Sequence, residues 1–125
     1  MSAPIGKNRL RKREELIISN WIPTHYDMTI TVFKASMSEE QPPVGITSSL
    51  VALWYDGKGD WEQAHIIAQD LPTKEGAWVH AYLHRKEGDE WNAHYWYNRA
   101  DKTMPDRTIE KEWEDIVQTL LHHPQ

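Results

Sequence analysis

His80, His84 and Glu87 stand at i, i+4 and i+7, a spacing that sets all three on one face of a helix. Two imidazoles one turn apart reach the same divalent cation, and a carboxylate a turn further on completes or orients such a site. Without a metal, the same trio suits acid–base chemistry, with a histidine as general base and Glu87 orienting it. Further donors are available in Asp60, Asp89, His65 and His94, the two histidines falling at equivalent places of an internal repeat. Imidazole and carboxylate without thiolate suit zinc, iron, manganese or nickel. Ala81, Tyr82 and Leu83 separate the two histidines, so the metalloprotease pattern His-Glu-x-x-His and its general base are missing. The preferred reading is therefore structural. Each ring donates to a carboxylate, to the amide of Asn92 or Gln63, or to a tyrosine hydroxyl, because each buried polar group left unpaired costs about 1–3 kcal/mol. On this reading no cofactor is expected, and a divalent metal on the His80, His84 and Glu87 face is the lesser alternative.

Around that face lie Arg85, Asp89, Trp91, Asn92, Tyr95, Trp96 and Arg99, which are the candidate ligand-binding residues. The run Tyr95-Trp96-Tyr97-Asn98-Arg99 points all round a helix, so its aromatic residues cannot all be core. If Tyr97 takes the core position, Trp91, Tyr95 or Trp96 remain for a cleft or an interface. Arg85 and Arg99 offer planar forks that match a carboxylate or phosphate. Core or dimer packing is the default for such aromatics, and a ligand cleft the sharper alternative.

These residues must be positioned by helices. The spacing predicts a short helix over 14–21, stopped by Pro23. Residues 27–40 mix strand propensity at 29–33 with a helical stripe of Ile30, Phe33 and Met37; a helix capped by Asp27 is the preferred assignment. Pro42-Pro43-Val44-Gly45 ends it. A helix capped by Thr47 or Ser48 runs to about Gly57, and a second, capped by Asp60, spans 61–71 before Pro72. A third runs from about 75 to 86 and stops at Gly88; Asp89 caps a fourth over 90–100. The last spans about 108–122 with Ile109, Trp113, Ile116, Val117, Leu120 and Leu121 on one face.

Two of these segments align at a period of 29 residues, Ala52 with Ala81, Gly59-Asp60 with Gly88-Asp89, and Ala64-His65 with Ala93-His94. Such a period indicates stacked helical hairpins, neither able to bury its apolar face alone. Gly88-Asp89, Ala93, Tyr97, Ala100 and Pro105 resemble the spacing of the tetratricopeptide or Sel1-like repeat, and Gly59-Asp60, Ala64 and Ala68 give a weaker copy. The resemblance covers about residues 47–105 and implies a pair of antiparallel hairpins. It departs from the family pattern at His80 and His84, where large apolar and aromatic residues are usual; the first copy has Val51 and Tyr55 there. The chain also resembles, loosely, small uncharacterised bacterial and fungal proteins sharing the stretch His80-Ala81-Tyr82-Leu83-His84-Arg85, with Glu87-Gly88-Asp89, Asn92-Ala93 and Tyr95-Trp96-Tyr97. No activity comes with that likeness.

Composition narrows the function classes. A chain of 125 residues suits one domain, here a basic flexible arm at 1–13 followed by a single helical domain at 14–125. The absence of cysteine removes disulfides and thiolate sites and fits a reducing compartment. No signal peptide or membrane-length apolar run is present, so a cytoplasmic location is expected. The net charge of −5 argues against nucleic acid, although Lys7, Arg9, Arg11, Lys12 and Arg13 form a local basic arm. Seven tryptophans beside one phenylalanine imply a core with polar seams or a binding surface. There is no phosphate-binding glycine loop and no nucleophile elbow.

The sequence thus predicts an all-α array of five or six helices with a tetratricopeptide-like centre. Its expected role is a helical-repeat binding or scaffold module acting through protein contacts or self-association, such as a homodimer. The alternative is a small enzyme or metal- or ligand-binding protein using His80, His84 and Glu87.

Overall fold

The computed structural model describes residues 28–122. Within them the chain forms six helices and no strand: α1 (Ile30–Ser36), α2 (Ser48–Gly57), α3 (Trp61–Gln69), α4 (Lys74–Lys86), α5 (Glu90–Ala100) and α6 (Ile109–His122). The basic arm, the helix expected over 14–21 and the proposed Asp27 cap lie outside the described residues.

The ambiguous segment is helical, and shorter than 27–40. Thr29 caps it by accepting from the Val32 N–H, and the helix stops after one further turn, at Ser36. Its predicted stripe does face inward: Phe33 is fully buried, with Ile30 and Met37 packed against the core. Thr47 rather than Ser48 caps α2, and α3 ends at Gln69, two residues before the expected limit.

The two hairpins α2–α3 and α4–α5 turn in the same way. Gly59 and Gly88 adopt φ of +91° and +86°, a region that costs a residue with a Cβ dearly. Asp60 and Asp89 then accept from the N–H groups of Gln63 and Asn92, satisfying donors that a helix start leaves free. Ala52, Ala64, Ala81 and Ala93 are all fully buried, which is what allows the paired helices to approach closely.

α4 is the central element, packing against α2, α3, α5 and α6. α6 crosses the other side, against α1, α2 and α4, and buries Trp113, Ile116, Val117 and Leu120. Three indoles tie this core to polar groups. Trp54 donates to the Ser36 hydroxyl (3.0 Å), Trp61 to the Leu83 carbonyl (2.9 Å) and Trp113 to the Leu53 carbonyl (3.0 Å). The polar seams that the tryptophan content implies are thus real.

Two buried carboxylates lock α4 in place. Glu112 receives Arg85 (2.7 Å) and the Tyr97 hydroxyl (2.5 Å), and Asp56 receives Lys86 (2.9 Å) and the Tyr82 hydroxyl (2.8 Å). Burial, with the neighbouring carboxylate adding to it, pushes both tyrosine hydroxyls far above their ordinary range, so they act only as donors. No helix among the described residues is long and apolar enough to cross a membrane.

Candidate metal centre

α4 carries His80 and His84 on the face turned towards α3, and α3 presents His65 opposite them. Nε2 of His80 lies 3.0 Å from Nε2 of His65 and 3.2 Å from Nε2 of His84. One ring nitrogen from each of the three histidines, drawn from both hairpins, thus lies within 4.8 Å of the other two. Zinc held at about 2.0–2.1 Å by tetrahedral donors requires those donors to stand about 3.3 Å apart. The observed separations are close to the edges of that figure.

Proton placement alone cannot satisfy this arrangement. A neutral imidazole has one N–H and one lone pair. Whichever tautomer His80 adopts, its Nε2 makes one linear hydrogen bond, donating to one neighbour or accepting from it, and faces the other neighbour without one. A cation at the focus would engage all three lone pairs.

The rings are also in the right charge state. Burial, reinforced by His65 and His84, pushes the His80 pKa down to about 4. Burial and His84 lower that of His65 as well, against the opposing pull of Glu87. Both rings are neutral at pH 7, the form that ligates metal, so binding displaces few protons.

Indoles hold the rings. Trp61 stacks on His65 with centroids 4.8 Å apart and planes 9° from parallel, and Trp96 lies 4.1 Å from His80. Stacking covers ring faces, whereas the nitrogen lone pairs lie in the ring planes, so the indoles fix the imidazoles without blocking the focus. Trp61 is itself pinned by its bond to the Leu83 carbonyl.

The carboxylates stand behind the histidines. Asp89 Oδ2 lies 3.5 Å and Glu87 Oε1 3.8 Å from Nδ1 of His84, the nitrogen facing away from the cluster. Glu87, expected on the metal-facing side, thus sits at the opposite ring nitrogen. Neither carboxylate hydrogen-bonds to that nitrogen at these distances, and Nδ1 of His84 is buried without a hydrogen-bond partner; a small shift of Asp89 would give the outer contact that orients a metal-bound histidine. Asp89 is also held by the Asn92 amide at 2.7 Å; that bond first, then the Asn92 backbone N–H and His84, keeps its carboxyl below the usual range. His84, Glu87 and Asp89 form a second potential donor group, more exposed than the three histidines. Nδ1 of His80 is buried without a hydrogen-bond partner.

The remaining predicted residues divide. Asp89, Asn92 and Trp96 adjoin the cluster. Arg85 does not: its guanidinium is committed to Glu112 and the Arg107 carbonyl, on the side of α4 that meets α6. Trp91 and Tyr95 stack along the outside of α5 (6.2 Å, 9°), with Arg99 5.8 Å over Tyr95 and 5.4 Å over Trp96. His94, the repeat counterpart of His65, is exposed.

His65 is the candidate donor that spacing along α4 could not supply. Its signal was the 29-residue equivalence, which marked both His65 and His94 without telling which of them meets another hairpin. Trp61 had no signal beyond its residue type. No family model matches this chain, and neither curated proteins nor solved structures give a match. The chemistry of the centre therefore rests on its own atoms.

Proposed function

We propose that this protein binds one divalent transition-metal ion, of the zinc class, through His65, His80 and His84. The approach of Nε2 of His80 to Nε2 of His65 (3.0 Å) and of His84 (3.2 Å), with all three donors within 4.8 Å of one another, carries the reading. Imidazole donors suit zinc, copper, iron or nickel, and Asp89, 3.5 Å behind Nδ1 of His84, stands where the outer support of such a ligand would be. The ion would join the two hairpins, since His65 belongs to the first and the other two to the second. Equilibrium dialysis against zinc followed by elemental analysis tests this. One zinc per chain is expected for the native protein and none for His80→Ala; a metal-free native protein would refute the reading.

A second reading, contact with another protein or a second copy of this chain, is favoured by one observation. Trp91 is 76% exposed and Tyr95 45%, an aromatic pair on the outer face of α5. The turn geometry common to both hairpins supports treating them as tetratricopeptide- or Sel1-like units, whose exposed faces bind partners. Light scattering of the native chain and of Trp91→Ala tests it: a dimer lost in the variant supports the contact, and a native monomer removes self-association.

A further inference from the structure

We infer that the tri-histidine centre keeps an open coordination position whose occupant is a small anionic donor from solution. This rests on the metal-binding reading. Two of the separations, 3.0 and 3.2 Å, already approach the edge of a zinc tetrahedron, and three ligands in that geometry span one face and leave the fourth vertex directed away from it. Among the described residues, the donor group at the focus consists of His65, His80 and His84 alone. The two nearest carboxylates are engaged elsewhere. Asp89 and Glu87 approach Nδ1 of His84, and Asp89 additionally caps α5 and binds Asn92. Turning Asp89 towards the focus would break its bonds to the Asn92 backbone and side chain, and Glu87 lies on the far side of the His84 ring. The indoles of Trp61 and Trp96 lie on ring faces and offer no lone pair to a metal.

Access and charge complete the case. His65 and His84 are only partly buried, so the focus sits at the surface end of the α3–α4 seam and not beneath it. An imidazole that binds a metal through its lone pair brings no charge, so three of them leave the full double charge of the ion uncompensated, unlike a site built with thiolates or carboxylates. The fourth position therefore holds water at rest and favours an anion over a neutral donor. Structural zinc sites, by contrast, are closed by four protein ligands.

Cobalt(II) replacing zinc reports its coordination through visible absorption, and azide serves as the anionic probe. The full chain is loaded with one equivalent of cobalt and titrated with sodium azide, with sodium chloride at equal ionic strength as the control. The expected result is a change in the visible bands that saturates as one azide per cobalt, with the unliganded spectrum restored on removing azide by dialysis. A cobalt spectrum indifferent to azide would mean a fourth protein ligand and a closed site; that overturns the open position while leaving the metal site standing. Loss of the cobalt bands during the titration, with cobalt free in the dialysate, would mean that azide strips the ion, and would also overturn it. Failure to take up cobalt at all would instead overturn the metal reading beneath it.

Discussion

Nε2 of His65 meets Nε2 of His80 at 3.0 Å although the two residues belong to different helical hairpins. That contact makes the centre a joint between hairpins, where a face of α4 alone would have been a local feature. Metal binding should accordingly couple to the packing of α3 on α4.

The first expectation concerns that coupling. Anything that binds the folded chain alone raises its stability by RT ln(1 + [L]/Kd), about 2.7 kcal/mol at a hundredfold excess over Kd. Zinc should therefore raise the melting temperature of the native protein and leave that of His84→Ala unchanged. An equal rise in both, measured by differential scanning calorimetry, would place the ion elsewhere.

Asp89→Asn separates the two tasks of that residue. Asparagine caps a helix as well as aspartate does, so α5 and the metal-free melting temperature should be little altered. The carboxylate at 3.5 Å from His84 Nδ1 is lost, and loss of such a partner typically weakens metal binding 10- to 100-fold. A competition titration with a chromophoric chelator reads the affinity. Unchanged affinity would show that Asp89 is only a cap.

Acid should destabilise the metal-free protein through His80. Its folded pKa of about 4 lies below the ordinary 6.5. The unfolded chain thus takes up this proton first as pH falls. The stability involved is complete above pH 6.5 and is lost as pH drops towards 4, the loss amounting to about 2–3 kcal/mol by pH 4.5. Urea midpoints at pH 7 and 4.5, in chelator, should fall further for the native protein than for His80→Asn, which has no such proton to bind. Parallel losses would contradict the assignment.

Glu112 offers a test of the fold independent of the centre. It is 1% exposed and accepts from both Arg85 and Tyr97. Glu112→Ala leaves the partly buried Arg85 guanidinium with the Arg107 carbonyl alone and the buried Tyr97 hydroxyl without its acceptor, and breaking one side of a buried ion pair costs about 3–5 kcal/mol. Chemical denaturation should show a loss of that size. A loss below about 1 kcal/mol would mean that water reaches Arg85.

These results also show where sequence patterns carry structural information. Asp89 and Gly88 mark a turn by local chemistry, and α4 ends and α5 begins where those signals place them. Periodicity along one helix likewise put Phe33, Ile116 and Leu120 inside. It reports which face of a helix is apolar, not which helix lies opposite. Hence His80 and His84 were recognisable as a pair, while His65, 15 residues earlier and one hairpin away, was recognisable only as a spare donor. Arg85 illustrates the same limit. Its neighbours in sequence suggested a ligand anchor, but its partner Glu112 is 27 residues distant on α6.

The central claim is that three imidazoles from two hairpins hold one metal ion, and the cross-hairpin ligand tests it most directly. Isothermal titration of zinc into the native chain and into His65→Ala, at pH 7.5, compares a complete triad with the pair left on α4. His65 is only partly buried, so its truncation should spare the fold, which circular dichroism of the variant verifies. The prediction is a single site of 1:1 stoichiometry in the native protein and at least a hundredfold weaker binding in His65→Ala. Equal zinc affinity in the two proteins, or no binding to the native chain, would contradict it.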